Sequence, residues 1–419
     1  MFRFVHAADL HLDSPLKGLE AYPGAPVDCI RGATRRALEN LVDLARRERV
    51  DFVLLAGDIY DGDWPDHNTG LFFVGQMLRL REAGIPVVAI SGNHDAANKI
   101  TKALRLPDNV FMLSHQAPET AGCPKLRDLG VAVHGMSYAQ AKEKRNLVLD
   151  YPRPLPGMFN IGLLHTGLTG REGHEPYAPC SLDDLRARGY DYWALGHIHA
   201  REIVCHEPWV IFSGNTQGRH VRETGAKGCY VVTVNDGGEV QADFHPLDVL
   251  RWEVCRADVG GIDDEDDFIA GVGAAIQSLV ETHGGMTLAM RVEIVGKTDL
   301  HEALHGREEY WKSQVRAAAL EVAGEAVWIE QVKLATAPPS DTTSDLEGPL
   351  EELVLVLQDL KSSDQAYSDL VPDLSKLRKK LKREQLDTQG ELQWDDPQWW
   401  REVLAEVEPM LLAQLRQEA

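Results

Sequence analysis

Cysteine is scarce in this chain: six residues in 419, widely spaced, with no CxxC pair. That excludes a disulfide-built scaffold and a thiolate zinc ribbon, and it predicts a reducing, cytoplasmic setting. Long apolar runs are missing too. None approaches the roughly 20 residues that a bilayer span needs, so no membrane association is expected. The opening MFRFVHAADLH is too short and too polar for a secretory h-region. Positive charge is the third deficit, with 43 Lys and Arg against 65 Asp and Glu, a net charge of −22. Such a chain does not grip nucleic acid through its overall field, so any such contact has to be local or metal-assisted. What remains is ordinary globular composition, 44 % hydrophobic and 26 % charged. At roughly 150 residues per domain the length predicts two or three domains.

Residues 1–245 alternate short apolar runs with helical patterns. Phe2 to Val5, Phe52 to Leu55, Pro86 to Ile90, Phe159 to Leu164 and Tyr192 to Leu195 read as strands. Arg31 to Arg49 reads as an amphipathic helix with Leu38, Leu41, Val42 and Ala45 on one face. Strand, polar loop and helix in repetition predict an α/β sandwich with functional loops at the strand C-termini. The later runs Trp209 to Phe212 and Cys229 to Val234 lack long intervening helices and predict an antiparallel second sheet. Residues 246–336 read β-α-β-α-β, a small α/β domain. Residues 337–349, rich in Pro, Ser, Thr and Asp, read as a linker. Residues 350–419 carry three helical patterns, the last capped by Asp395 or Asp396.

Chemistry concentrates where the first-domain strands end. Asp9 and His11 form D-x-H after the first strand, and Asp58 closes the second in LLAGD. Asn93 and His94 lie in SGNHD after the third, His165 ends IGLLH, and His197 and His199 form GHxH. Any one of these would pass for a turn residue or a buried structural histidine. Seven ligand-type side chains at the ends of five strands, converging on one sheet edge, would not. The donors are oxygen and imidazole with no thiolate, which suits Mn²⁺, Fe or Zn²⁺. They are too many for one tetrahedral ion. Two divalent ions bridged by a carboxylate would use them all, activate water near neutral pH and bind phosphate oxygens.

The set D-x-H, GD, GNHD, H and GHxH resembles the calcineurin-like metallophosphoesterase superfamily over the first 245 residues. FVHAADLHLDSPL, GHEPYAPCSLDDL, YWALGHIHAR and SGNTQGRHVRETGAKG resemble, more narrowly, the SbcD-type DNA-repair exonucleases of the YhaO-like branch. The resemblance implies a four-layer α/β/β/α sandwich, with 246–336 as a small α/β capping domain and the helical tail as a partner-docking region. It implies a first ion held by Asp9, His11, His199 and Asp58, and a second held by Asn93, His165, His197 and the bridging Asp58. Mn²⁺ is the expected metal. His94 matches the family histidine that contacts the phosphate and assists the leaving oxygen. Asp61 stands where many members have a second histidine, and would orient His94 instead.

Outside that set the signals are weaker. His6 reads as a buried structural histidine. His174 and Tyr177, in an insertion between metal motifs, are candidates to line the substrate groove. Arg219, His220 and Arg222 follow SGNTQG and are candidate phosphate contacts. The basic run Lys376, Arg378, Lys379, Lys380, Lys382 and Arg383 reads as a solvated helix face, with a nucleic-acid or acidic partner as the alternative.

The resulting expectation is a hydrolase: a two-metal phosphodiesterase acting as a DNA exonuclease or endonuclease in DNA repair. Its expected partners are DNA and an SMC-like, SbcC-type ATPase, and a homodimer is compatible with the sequence. The rivals are a small-substrate enzyme, such as a cyclic-nucleotide phosphodiesterase or phosphatase, and a DNA-end-binding scaffold with little turnover.

Overall fold

The computed structural model describes residues 1–14, 27–61, 68–97, 105–169, 177–339 and 349–362, with 396, 398–404, 407–408 and 411 of the tail. These residues fall into two compact units that divide between Trp252 and Glu253.

The first half of the first unit runs β1 (Phe2–Ala7), α1 (Val27–Arg47), β2 (Phe52–Ala56), α2 (Asn68–Glu82), β3 (Val87–Ile90), α3 (Asn93–Ala97) and β4 (Val110–Met112). It continues with β5 (Glu119–Thr120), α4 (Pro124–Asp128), β6 (Val131–Gly135), β7 (Phe159–His165), α5 (Leu182–Arg188) and β8 (Tyr192–Gly196). Four further strands close it: β9 (Glu202–His206), β10 (Trp209–Phe212), β11 (Gly228–Val234) and β12 (Val240–Pro246). They build two six-stranded sheets, ordered β12-β11-β1-β2-β3-β4 and β5-β6-β7-β8-β10-β9.

Strand periodicity sorts the core into layers. On β1, Val5 and Ala7 face the helices with Leu38, Leu41, Val42 and Phe73. Phe2 and Phe4 face the other way, toward Ile161, Leu163, Tyr192 and Ile211 of the second sheet. Phe4 stacks on Phe52 at 4.9 Å between ring centroids and meets Tyr192 edge-on at 5.3 Å. The outer face of the second sheet packs Leu164, Trp193, Val210 and Phe212 against Leu185 of α5 and Leu147, Val148 and Tyr151. The result is the expected α/β/β/α sandwich. Its central strands are buried on both faces, which is why they read as continuous apolar runs.

One expectation fails. Trp209–Phe212 and Cys229–Val234 do not share an antiparallel sheet. β10 runs parallel to β8 and antiparallel to β9, whereas β11 crosses back to pair antiparallel with β1 and β12. Short apolar runs mark strands but not their neighbours. Here the segment 213–227 returns the chain to the first sheet.

The second unit holds all but the first three residues of β13 (Leu250–Asp258), then α6 (Glu265–Thr282), β14 (Thr287–Lys297), α7 (His301–Gly306), α8 (Glu308–Ala323) and β15 (Val327–Ala337). Asp264 caps α6, accepting from the backbone N–H groups of Asp266 and Asp267. The three strands form one sheet in the order β13-β14-β15. Their buried side joins Phe268, Val272 and Ile276 of α6 to Trp311 and Val315 of α8. Of the tail, α9 spans Pro349–Ser362. Asp396 accepts from the N–H of Gln398 at 2.8 Å, so it fills the capping role read from the sequence. The second helical pattern and the basic run at 376–383 lie outside the described residues. Among the described residues, no helix is long and apolar enough to cross a membrane.

Candidate metal centre

The loops that leave β1 and β2 lie on each other. Asp9 N donates to Gly57 O, His11 N to Asp58 O and Leu12 N to Ile59 O, each at 3.0 Å. Asp9, His11 and Asp58 adopt left-handed backbone, with φ of 52°, 43° and 51°, and His197 has φ 97°. For non-glycine residues such conformations cost of order 1–3 kcal/mol each and persist only where the surroundings impose them. Glycines make room around them. A Cβ on Gly57 (φ 94°) would sit 2.5 Å from His165 Nδ1, and one on Gly92 would overlap Asp58 Oδ1 and the His165 ring.

These constraints bring all seven sequence-predicted donors together. Asp9, His11 and His199 form one group of convergent donor atoms, and Asp58, His165 and His197 another; His11, Asp58 and His94 link the two. Asp58 sits between, with Oδ2 3.4 Å from His165 Nε2 and 3.9 Å from His11 Nε2. Its Oδ1 accepts from the His94 backbone N–H at 2.9 Å. Asn93 Oδ1 lies 3.0 Å from His165 Nε2. Asp9 accepts from His197 N at 3.0 and 3.1 Å.

The donor chemistry fits divalent ions. His165 Nδ1 faces the Ala56 carbonyl at 2.9 Å, and a carbonyl can only accept. The ring proton therefore sits on Nδ1 in the neutral ring, and the Nε2 lone pair meets the Asn93 and Asp58 oxygens. His199 is oriented in the same way: Nδ1 faces Glu223 Oε1 at 2.5 Å, and Nε2 faces His11 Nε2 at 3.1 Å. His11 Nδ1 is buried without a hydrogen-bond partner. Lone pairs packed against lone pairs in a dry site call for a cation. Burial pushes His165 down, but the Asp58 charge and hydrogen bond, with Asp9 and the Ala56 carbonyl, outweigh it and raise its pKa to about 9.

His94 is placed differently. It is 39 % exposed, so it reaches the open side of the site, and its Nδ1 lies 2.6 Å from Asp61 Oδ1. Burial pulls its pKa down, but the Asp61 hydrogen bond and the Asp58 and Asp61 charges raise it on balance. Asp61 also accepts from Ser14 and, at 3.0 Å, from Arg219.

The weaker candidates divide. Arg219 is largely buried, with side-chain exposure of 16 %, and its guanidinium is engaged by Asp61 and Glu223. Arg222 is exposed. Tyr177 meets the His197 ring edge-on at 5.1 Å. His174 lies outside the described residues. His6 is fully buried, between Tyr192 Oη at 3.0 Å and the Leu195 carbonyl at 3.2 Å, as a structural histidine would be.

Two acids escaped the sequence reading. Glu223 places Oε1 2.5 Å from His199 Nδ1. Asp95 accepts from the N–H groups of Ile59, Tyr60 and Gly92 at 2.9–3.1 Å, tying the loop after β2 to the loop after β3. Asp95 was visible as the last letter of GNHD. For Glu223 only its place just after Arg219, His220 and Arg222 offered a signal.

Two segments of the chain are similar to known protein families. The family model of the calcineurin-like phosphoesterases matches residues 2–201, and that of the middle domain of metallophosphoesterase YhaO matches 252–337. An uncharacterized metallophosphoesterase YhaO of Bacillus subtilis is 42 % identical over 257 residues, covering 61 % of this chain and 63 % of the relative. A DNA double-strand break repair protein Mre11 of Sulfurisphaera tokodaii is 30 % identical over 208 residues, 48 % of this chain and 50 % of its own. Another Mre11, of Methanopyrus kandleri, is 24 % identical over 287 residues, 62 % and 60 % of the two chains. The matched segments thus span between half and just under two thirds of these relatives. Residues 2–201 thus form a calcineurin-like phosphoesterase domain, and residues 252–337 are similar to the middle domain of the YhaO metallophosphoesterases.

Proposed function

We propose that this chain is a two-metal phosphodiesterase that cleaves DNA. The observation that carries the reading is the convergence of lone pairs from Asp9, His11, Asp58, Asn93, His165, His197 and His199 in a site closed on its inner side by the sheets. Asp9, His11, Asp58 and His199 would hold one divalent ion, and Asp58, Asn93, His165 and His197 the other, with Mn²⁺ as the working metal. When bound, the pair would supply an activated water and neutralise charge on the phosphate. It would also give this acidic protein a local positive site for a phosphodiester.

The chain's own residues supply the rest. His94 stands on the exposed side, and its Asp61 partner keeps a proton on Nδ1. In the doubly protonated ring that the neighbouring Asp61 and Asp58 favour, the opposite N–H can donate to a phosphate oxygen or protonate the leaving oxygen. The Mre11 likeness favours DNA over a small diester. On the same reading, residues 246–336 are the family's capping domain, residues 337–349 are a linker, and the tail beyond 350 docks on an SMC-like ATPase in the cytoplasm.

The test uses purified protein with Mn²⁺ on linear duplex, circular single-stranded DNA and a cyclic nucleotide. Cleavage of DNA with little turnover of the cyclic nucleotide is expected. A preference for the cyclic nucleotide would sink the DNA reading, and metal uptake without turnover of any diester would sink the enzyme.

A further inference from the structure

The segment Arg219–Glu223 contributes none of the candidate ligands, yet it touches two of the residues given the main roles. Glu223 is 6 % exposed in its side chain, and both of its oxygens are taken. Oε1 lies 2.5 Å from His199 Nδ1. Oε2 accepts from Asn215 Nδ2 at 2.9 Å and from the Arg219 backbone N–H at 2.8 Å. The Arg219 guanidinium then spans two carboxylates: Nη2 is 3.6 Å from Glu223 Oε1, and Nη1 donates to Asp61 Oδ2 at 3.0 Å. Asp61 in turn holds His94. One polar chain therefore runs His199, Glu223, Arg219, Asp61, His94.

We propose that Glu223 and Arg219 are positioning residues: Glu223 fixes the His199 ring and strengthens its Nε2 as a donor to the first ion, and Arg219 locks that ring to His94 through Asp61. The inference rests on the proposed role of His199 as a ligand. A carboxylate at the far nitrogen of a ligating histidine sets the tautomer and raises ligand basicity, and its loss typically costs roughly 10–100-fold in metal affinity. Arg219 has a different task. Neighbouring carboxylates repel, and a planar guanidinium that reaches both the buried Glu223 and the partly buried Asp61 holds them at a fixed spacing. Arg219 thus sets where the exposed histidine stands relative to the first ion, and it is occupied in doing so rather than turned to substrate.

The full-length chain, titrated with Mn²⁺ by calorimetry, tests both parts. Glu223→Gln is expected to weaken one of the two ions roughly 10–100-fold and leave the other unchanged, with wild-type melting of the metal-free protein. Glu223→Asp is expected to restore part of that loss. Arg219→Met is expected to keep both affinities and to lower kcat on a small diester without raising KM. The proposal is overturned for Glu223 if the glutamine variant melts like wild type and binds both ions unchanged. It is overturned for Arg219 if KM rises while kcat holds, which marks a substrate contact. Should the glutamine variant not fold, zinc-loaded wild type with ¹⁵N-labelled histidine decides, because His199 must carry its proton on Nδ1 and the opposite tautomer refutes the role. Wild type that binds fewer than two ions fails differently: it removes the two-ion reading and this inference with it.

Discussion

β2 and β3 in the first unit are five and four residues long, and every residue in them is buried. β14 and β15 in the second are eleven residues each, and buried positions alternate with partly exposed ones along most of their length. Both sets are strands beside helices, but they end in different surroundings. A strand covered on both faces delivers its C-terminal loop into a dry environment. There an unpaired polar group is costly, and donor atoms are kept only if something satisfies them. A half-exposed strand ends near water and imposes no such demand. All three groups of metal-type donors lie in the first unit, and among the described residues none lies in the second. The contrast teaches that the chemistry follows burial of the strand end, not the presence of a sheet.

The sharpest way to break that contrast is Asp58→Ala. Asp58 is the one acid shared by two of the donor groups, and it is 1 % exposed. Its carboxyl is held below the usual range: burial raises it, but the His165 and His94 charges and hydrogen bonds outweigh burial. The variant is expected to lose turnover on any diester and to bind fewer than two Mn²⁺ by elemental analysis. Two retained ions with activity would refute its bridging place. Next in size is His94→Ala. The side chain is no member of the inner donor set proposed above, so both ions should stay while the rate falls roughly 10²–10⁴-fold. The loss should shrink on a substrate with a good leaving group if His94 gives a proton. Equal loss on good and poor leaving groups would instead mark it as a phosphate-positioning group.

The layers were legible in the sequence because burial on both faces leaves unbroken apolar runs, such as FVLL at 52–55 and YWAL at 192–195. The donors were legible for the same reason, each standing where such a run stops. What could not be read was anything set by the return of a loop. Glu223 is 24 residues from His199, and Arg219 is 158 from Asp61. No local period links either pair. The sheet of β10 and β11 was misassigned on similar grounds, since the segment between them decides which edge each strand meets. Arg219 stood out in the sequence as a cation near the site, and only the folded position of Asp61 shows what holds it.

The second unit supplies the control for the contrast. Trp311 is 1 % exposed, meets Phe268 edge-on at 5.3 Å and donates from Nε1 to the Ala303 carbonyl at 3.1 Å. Trp311→Ala is expected to cost about 3–5 kcal/mol within that unit. Calorimetry should show a melting transition moved well below that of wild type, with Mn²⁺ affinity unchanged at temperatures below it. Loss of metal binding under conditions where the unit remains folded would break the separation between a unit that packs and a unit that binds.

The smallest expected effect sharpens the first half of the comparison, because a dry interior should penalise charge even away from the donors. His6 is fully buried, and burial pushes its pKa down to about 3 against the opposing pull of the Leu195 carbonyl. The carbonyl accepts from Nε2–H, so Nδ1 accepts from the Tyr192 hydroxyl and the ring stays neutral in the fold. An unfolded histidine titrates near 6.5. Between about 6.5 and about 3 the unfolded chain therefore binds the extra proton, and stability falls as pH falls. From pH 7 to pH 5 this one group should cost about 2 kcal/mol. His6→Gln can still offer an amide N–H to the Leu195 carbonyl but cannot take up the proton. Chemical denaturation of the metal-free variant and wild type at pH 7 and pH 5 isolates the term, since every other titrating group is common to both. The variant is expected to be the less stable at pH 7 and to lose less on going to pH 5. Equal losses would mean that His6 does not titrate on unfolding in this range, and that the interior beside the strand ends is wetter than the packing of β1 against β8 implies.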